Sequence, residues 1–230
     1  MSDIASNILK LKNELPAHVK LVAVSKTKTV EEIFEAYSAG QKCFGENKAQ
    51  EALAKKDLLP SDIEWHFIGH LQTNKVKFIA PFVSMIQSVD SVKLLTVINN
   101  EAAKAGKVVN CLLQLYIAEE ETKFGFDIDE LISVFESKTL DAMNNIKICG
   151  LMGMASFTDN INQVRKEFAY LKECFDKLKT TYFSENSYFK EISMGMSGDY
   201  KIAIEAGSTM VRIGGIIFGE RKKNNVIVEK

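Results

Sequence analysis

The sequence predicts an α/β protein whose parallel strands close into a single-domain (β/α)8 barrel of the TIM type, preceded by an extra N-terminal helix. Eight strand-like runs alternate with helical segments along the 230 residues. Most of these runs are nearly continuously apolar, as expected of strands that are covered on both faces. No internal repeat or Pro/Gly-rich linker divides the chain, so one closed barrel accounts for all the elements. An open doubly wound sheet is the alternative topology.

Each predicted element follows from its local residue pattern. A stripe of apolar residues at helical spacing predicts the first helix. Thr29 and Glu32 form a capping box that predicts the start of the second helix, and Gly40 predicts its end. The predicted strands span residues 21–26, 42–45, 64–68, 82–86, 108–117, 146–151, 189–193 and 209–213. The predicted helices span residues 3–15, 29–40, 46–58, 73–80, 90–105, 127–138, 161–182 and 199–206. We assign residues 1–221 to the barrel and 222–230 to a C-terminal tail.

The composition narrows the class of protein. Hydrophobic residues make up 46% of the chain and charged residues 26%, which is ordinary for a soluble globular protein. The formal net charge of −1 offers no basic surface for nucleic acid or membranes. No apolar run reaches the roughly 20 residues of a transmembrane helix, and the N-terminus lacks the pattern of a secretory signal. We therefore expect a cytoplasmic protein that binds neither nucleic acid nor membrane, and separately we expect a monomer.

Cysteine and histidine usage argues against disulfides and against a dedicated metal site. The four cysteines form no Cys-x-x-Cys pair, and most of them fall in strand-like runs. Buried, reduced thiols are therefore expected. The three histidines form no His-Glu-x-x-His motif, so no metal-ligating set is predicted.

Lys26 ends the first predicted strand, where a charge at the buried end of an apolar run needs a reason. Active sites of (β/α)8 barrels lie at the C-terminal ends of the strands. A lysine there can attack a carbonyl group and form a Schiff base once its amine is unprotonated. The alternative is a lysine that simply emerges into solvent at the end of a strand.

Glycine-rich segments follow the last two predicted strands, where barrels of this class often bind phosphate. Ser197 lies in the first segment, and Gly214 and Gly215 lie in the second. Glycines allow backbone N–H groups to approach a phosphate, although the same glycines would also serve to make tight turns. Lys26 and a phosphate site within one barrel suggest pyridoxal 5′-phosphate (PLP), whose aldehyde and phosphate lie at opposite ends of one ring.

Several short motifs carry a resemblance that extends over nearly the whole chain. They occur in order at residues 23–27 (AVSKT), 44–47 (FGEN), 50–51 (QE), 65–69 (WHFIG), 71–72 (LQ), 74–75 (NK), 150–154 (GLMGM), 193–197 (SMGMS) with 199 (D), and 207–214 (GSTMVRIG). In these motifs the sequence resembles the pyridoxal phosphate homeostasis protein family, the single-barrel relatives of the alanine racemase N-terminal domain.

This resemblance implies that Lys26 holds PLP covalently as an internal aldimine. The other implied cofactor-binding residues are Asn47 and His66 near the cofactor, Ser197, Gly214 and Gly215 at the phosphate, and Arg212 on the pyridine side or beside the phosphate. Asn47 and His66 could equally be polar groups that are satisfied inside the barrel. Two residues depart from the family pattern: Tyr116 stands where a small polar residue is expected, and Gly215 where many relatives carry a hydroxyl group.

The resemblance implies a PLP carrier or regulator whose partners are PLP-dependent apo-enzymes. The sequence ends just after the eighth predicted strand, so we expect no second domain to supply the opposing acid or base that two-base racemisation needs. We accordingly expect no robust turnover, and at most weak racemase activity. The alternatives are a PLP-dependent racemase or lyase and a cofactor-free Schiff-base aldolase. An interaction module without a ligand would leave Lys26 and the two glycine segments unexplained.

Overall fold

The fold is a closed barrel of eight parallel strands, as the alternating pattern predicts. The computed structural model describes residues 3–118 and 124–219. The strands pair in chain order, and the last strand pairs with the first, which excludes the open sheet. The strands are β1 (Lys20–Val24), β2 (Cys43–Glu46), β3 (Glu64–Phe67), β4 (Met85–Val89), β5 (Val109–Gln114), β6 (Ile146–Met152), β7 (Glu191–Ser193) and β8 (Met210–Ile213).

Helices surround this barrel, and the first of them precedes β1 as predicted. The helices are α1 (Asp3–Glu14), α2 (Val30–Ser38), α3 (Ala49–Lys56), α4 (Val76–Ile79), α5 (Val92–Lys104), α6 (Ile128–Glu136), α7 (Ile161–Tyr182), α8 (Tyr200–Glu205) and α9 (Gly215–Phe218). A 3-10 turn at Thr73–Lys75 leads into α4. Helix α9 has no counterpart in the sequence prediction, and the predicted tail at 222–230 lies outside the described residues.

The capping box at the start of α2 is confirmed in full. The backbone N–H of Glu32 donates to Thr29 Oγ1 at 3.2 Å, and the backbone N–H of Thr29 donates to Glu32 Oε2 at 2.8 Å. These two bonds satisfy N–H groups that have no partner within the helix. They also fix where the chain turns from β1 into α2, immediately beyond Lys26.

Several strand boundaries differ from the prediction by up to three residues; the fifth strand, for example, ends at Gln114 rather than at residue 117. The first strand ends at Val24 rather than at Lys26, so Lys26 lies in the turn that follows. The fourth strand was predicted at 82–86 and is found at Met85–Val89. Phe82 and Val83 still donate their N–H groups to Ile79 O, so these apolar residues close the preceding helix.

The core has a layer inside the barrel and a second layer between strands and helices. The interior layer consists of buried apolar side chains from several strands: Val22, Cys43, Met85, Leu112, Cys149, Met152 and Met210. All four cysteines are buried and free, as predicted. Burial raises the pKa of each thiol, because a thiolate is poorly solvated there. No helix in the described ranges is long and apolar enough to cross a membrane.

Candidate functional site

A cavity of about 410 Å³ opens at the C-terminal end of the barrel. Its size falls within the range of roughly 300–1,000 Å³ that is typical of small-molecule sites. The predicted site residues that line this cavity are Lys26, Asn47, Ser197, Arg212, Gly214 and Gly215. They come from β1, β2, β7 and β8 or from the loops that follow, and these strands are neighbours because the barrel is closed.

Lys26 projects from the turn after β1 and is half-buried. The next residue, Thr27, has a φ of 65°, in the left-handed region. A β-branched residue rarely adopts this conformation, so the backbone beside Lys26 is strained. Surrounding contacts must therefore hold this turn in place.

Arg212 is the buried cation of the cavity, with 4% of its surface exposed. Its guanidinium donates to three neutral acceptors: Ser193 O at 2.8 Å, Ser193 Oγ at 2.6 Å and Gly153 O at 3.0 Å. Within the described ranges no carboxylate forms an ion pair with it. Burial lowers the pKa of Arg212 to about 10, which still leaves the side chain charged at neutral pH. The negative charge of Asp199, which also lines the cavity, offsets part of this effect of burial. A buried guanidinium that contacts no carboxylate directly is costly unless an anionic or electron-rich ligand contacts it.

The two glycine segments meet beside Arg212 and form a cradle of backbone N–H groups. A Cβ built on Gly215 would lie 3.7 Å from Ser197 Oγ, so the two loops are in contact range. The N–H groups of Ser197, Gly198 and Gly215 donate to no acceptor within the described part of the chain. Free N–H groups beside a hydroxyl group form a concave site that suits an anion.

Asn47 follows β2 and presents a buried acceptor that has no partner. Its Oδ1 atom is inaccessible to solvent and accepts no hydrogen bond in the described structure. The loop after β3 packs closely here, since a Cβ on Gly69 would approach Asn47 O to 2.4 Å. An orphaned buried acceptor on a cavity wall indicates that a ligand donor belongs there.

His66 does not line the cavity but lies inside the barrel on β3, with 3% of its surface exposed. A chain of buried hydrogen bonds connects it to Arg212. Ser193 Oγ accepts from Arg212, so its own proton goes to Gln87 Oε1 at 2.7 Å. Gln87 Nε2 then donates to His66 Nδ1 at 2.7 Å. Because the guanidinium can only donate, it sets the direction of every hydrogen bond between Arg212 and His66.

The direction of these bonds leaves His66 neutral, with its proton on Nε2. Burial, and secondarily the charge of Lys20, lowers the pKa of His66 to about 3. Cys43 and Glu64 place potential ligand atoms within 4.8 Å of the imidazole. A protonated Nε2 cannot ligate a metal, so the hydrogen-bond order argues against a metal centre formed by these three side chains.

Acidification should destabilise the protein through His66. Free histidine titrates near 6.5, so below that pH the unfolded chain binds a proton that the folded chain excludes until the pH approaches 3. The free energy of unfolding should thus fall by roughly 2 kcal/mol between about pH 6.5 and pH 5 because of this residue. Urea unfolding at both pH values will test this, with His66→Gln as the comparison. If the free energy of unfolding falls equally in His66→Gln, groups other than His66 cause the pH dependence.

Two residues that connect to this site, Gln87 and Ser193, were not predicted from the sequence. Tyr116, which departs from the family pattern, lies outside the site. Gln87 and Ser88 are polar residues in a buried strand whose other residues are apolar, and these polar residues were the available signal. The motif at residues 193–197 contains Ser193 but does not indicate its bond to Arg212. Tyr116 lies beyond the end of β5, outside the strand in which it was predicted, and does not line the cavity.

The chain is similar to known proteins over most of its length. The sequence profile of the family "Alanine racemase, N-terminal domain" matches residues 1–222. A pyridoxal phosphate homeostasis protein from Aquifex aeolicus is 43% identical over 204 residues, which cover 88% of this chain and 87% of the relative. One from Haemophilus influenzae is 39% identical over 206 residues, with 88% and 85% coverage.

A solved structure shows the same architecture. PipY from Synechococcus elongatus, solved without PLP, has a TM-score of 0.88 and 33% sequence identity, covering 94% of this chain and 100% of its own. The same protein with PLP bound has a TM-score of 0.85. The profile match and these identities show that the chain belongs to the pyridoxal phosphate homeostasis proteins of the alanine racemase N-terminal domain family.

Proposed function

We propose that this protein binds PLP, holds it as a Schiff base on Lys26 and acts in intracellular PLP homeostasis. The observation that carries the proposal is the set of groups that line one cavity. Lys26, the buried cation Arg212 and an anion-binding cradle of free N–H groups all line it. A ligand that carries both an aldehyde and a phosphate satisfies all three features at once.

The residues present fit PLP group by group. The cradle formed by Ser197, Gly198 and Gly215 would hold the phosphate through backbone N–H groups and one hydroxyl. Arg212 would place its positive charge either facing the pyridine nitrogen or beside the phosphate. Asn47 Oδ1, which has no partner, would accept a hydrogen bond from a hydroxyl of the ligand.

Arg212 also bears on what the bound cofactor can do. A guanidinium that faced the pyridine nitrogen would disfavour protonation of that nitrogen, since like charges repel. When bound, PLP supplies an electrophilic aldehyde and a conjugated ring, and a ring without that proton withdraws electrons less strongly. In that orientation the ring would be a weaker electron sink, which would slow amino-acid turnover and suit a protein that stores the aldehyde.

Carriage requires a recipient, and we propose that PLP-dependent apo-enzymes receive the cofactor from a monomeric carrier. The relatives from Aquifex aeolicus and Haemophilus influenzae carry the name pyridoxal phosphate homeostasis protein. PipY has been solved both with and without PLP. These names and the cavity chemistry together support homeostasis rather than a dedicated metabolic reaction.

The decisive experiment is an absorbance spectrum combined with intact mass before and after borohydride reduction. We expect the purified protein to be yellow and reduction to add one phosphopyridoxyl group on Lys26, identified by peptide mapping. A colourless protein that takes up no added PLP would contradict the proposal. Turnover of amino acids at ordinary enzymatic rates would indicate a racemase or lyase instead. Trapping of a carbonyl substrate on Lys26 without PLP would indicate an aldolase.

A further inference from the structure

A second group of charged residues, two of them buried and one partly exposed, adjoins the turn that carries Lys26 but lies outside the cavity lining. It consists of Glu46 at the end of β2 and of Glu51 and Lys55 on α3. Glu46 is 1% exposed and Lys55 is 8% exposed. None of these three side chains lines the cavity, so the proposed contacts with the ligand do not account for them.

These side chains hold the backbone on both sides of Lys26. Lys55 Nζ donates to Ser25 O at 2.9 Å, before Lys26. Glu51 Oε2 accepts from the backbone N–H of Thr27 at 2.7 Å, after Lys26. The peptide groups that flank Lys26 are therefore both tied to α3, by residues one helical turn apart.

The group is connected internally, which makes it a stiff support. Lys55 Nζ lies 2.8 Å from Glu46 Oε1 and 3.6 Å from Glu51 Oε2. Ser25 Oγ also donates to Glu46 Oε1, at 2.7 Å. The bonds among Glu46, Lys55 and Ser25 are buried, and hydrogen bonds to charged groups are strong and directional, so these contacts restrict how far the turn can move.

The conformation of Thr27 shows why such a support is needed. Its φ of 65° is unfavourable for a β-branched residue and persists only where neighbouring groups impose it. The bond from its N–H to Glu51 is the contact that stabilises this conformation directly. Without it, the turn could relax to an ordinary φ and carry Lys26 away from its present place on the cavity wall.

We propose that Glu51 and Lys55 are positioning residues that hold the Lys26 backbone so that its amine meets the ligand aldehyde. This inference rests on the proposed function, because it assumes that Lys26 forms a Schiff base with PLP. Loss of Glu51 or Lys55 should therefore weaken formation of the covalent bond. It should not weaken recognition of the ring and phosphate, which the opposite cavity wall would bind.

The test compares two ligands that differ only at the reacting carbon. PLP can react with Lys26, whereas 4′-deoxypyridoxine 5′-phosphate has a methyl group in place of the aldehyde and cannot. In Glu51→Ala, we expect the dissociation constant for PLP to rise about tenfold, as loss of one charged hydrogen bond predicts. The constant for the deoxy analogue should change by less than about twofold. Unchanged analogue binding also reports that the variant is folded.

Two further variants sharpen the result. Glu51→Gln retains an oxygen acceptor for the Thr27 N–H and should recover most of the PLP affinity. Glu101→Ala removes a helical glutamate that is ion-paired with Lys104 at 2.6 Å, away from the cavity, and should bind both ligands like the wild type.

The outcomes separate this inference from the proposed function. Equal weakening of both ligands by Glu51→Ala, or no weakening of PLP, would overturn the positioning role while leaving PLP binding intact. A wild-type protein that binds the deoxy analogue but forms no reducible adduct would instead contradict the Schiff base, and with it the proposed function.

Discussion

Replacing Lys26 with alanine should abolish covalent retention of PLP while leaving the barrel folded. Lys26 lies in the turn after β1 and is half-buried, so its removal leaves the strand ladder untouched. The visible absorbance band and the borohydride-stable adduct should both disappear. Residual binding through the phosphate cradle should survive, because backbone N–H groups form most of it.

The matched control is Lys104→Ala, which removes a lysine whose side chain is 71% exposed and which does not line the cavity. It should retain the colour and the adduct of the wild type. Fluorescence titration with PLP and intact mass after reduction would measure both variants. An adduct that persists on another lysine in Lys26→Ala would show that the reactive amine has been wrongly assigned.

Replacing Arg212 with methionine should weaken PLP binding by about 100-fold, as loss of a contact worth 2–3 kcal/mol predicts. The same substitution should have a smaller effect on the stability of the ligand-free protein. Methionine removes the hydrogen bonds that Arg212 donates to Ser193 and Gly153, which destabilises the fold, but it also removes the cost of a buried cation. Because these effects oppose each other, we expect the free energy of unfolding to change by no more than about 2 kcal/mol.

Arg212→Lys is the informative companion variant. It keeps the positive charge but lacks the planar fork that reaches Ser193 and Gly153 together. We expect its PLP affinity to lie between those of the wild type and Arg212→Met. Equilibrium dialysis against PLP and urea unfolding of the ligand-free proteins provide the two measurements. Wild-type affinity in Arg212→Met would mean that the counter-charge comes from elsewhere in the cavity.

The barrel itself was largely predictable because its signals are local. Apolar runs, helical stripes and the capping box at Thr29 and Glu32 each depend on residues close together in the chain. The predicted long helix at 161–182 matches α7 at both ends. The errors fall where a local pattern is ambiguous. Phe82 and Val83 look like the start of a strand, but they complete the helical turn before β4.

The candidate site was predictable only in outline. Strand order places Lys26 and the two glycine segments at one end of a closed barrel, and family motifs imply Asn47 and Arg212. The position of His66 did not follow from its motif. A side chain on a barrel strand can reach the cavity or point into the interior layer, and its depth along the strand decides which.

The sequence by itself determined the fold class, the end of the barrel that carries the chemistry and the identity of the candidate lysine. These follow from periodicity, chain order and motifs. Only the tertiary structure decided that Arg212 is a buried cation bound to neutral acceptors, that Gln87 connects it to His66, and that α3 holds the turn bearing Lys26. Each of these depends on contacts between side chains and backbone groups far apart in the chain, whose geometry no local pattern encodes.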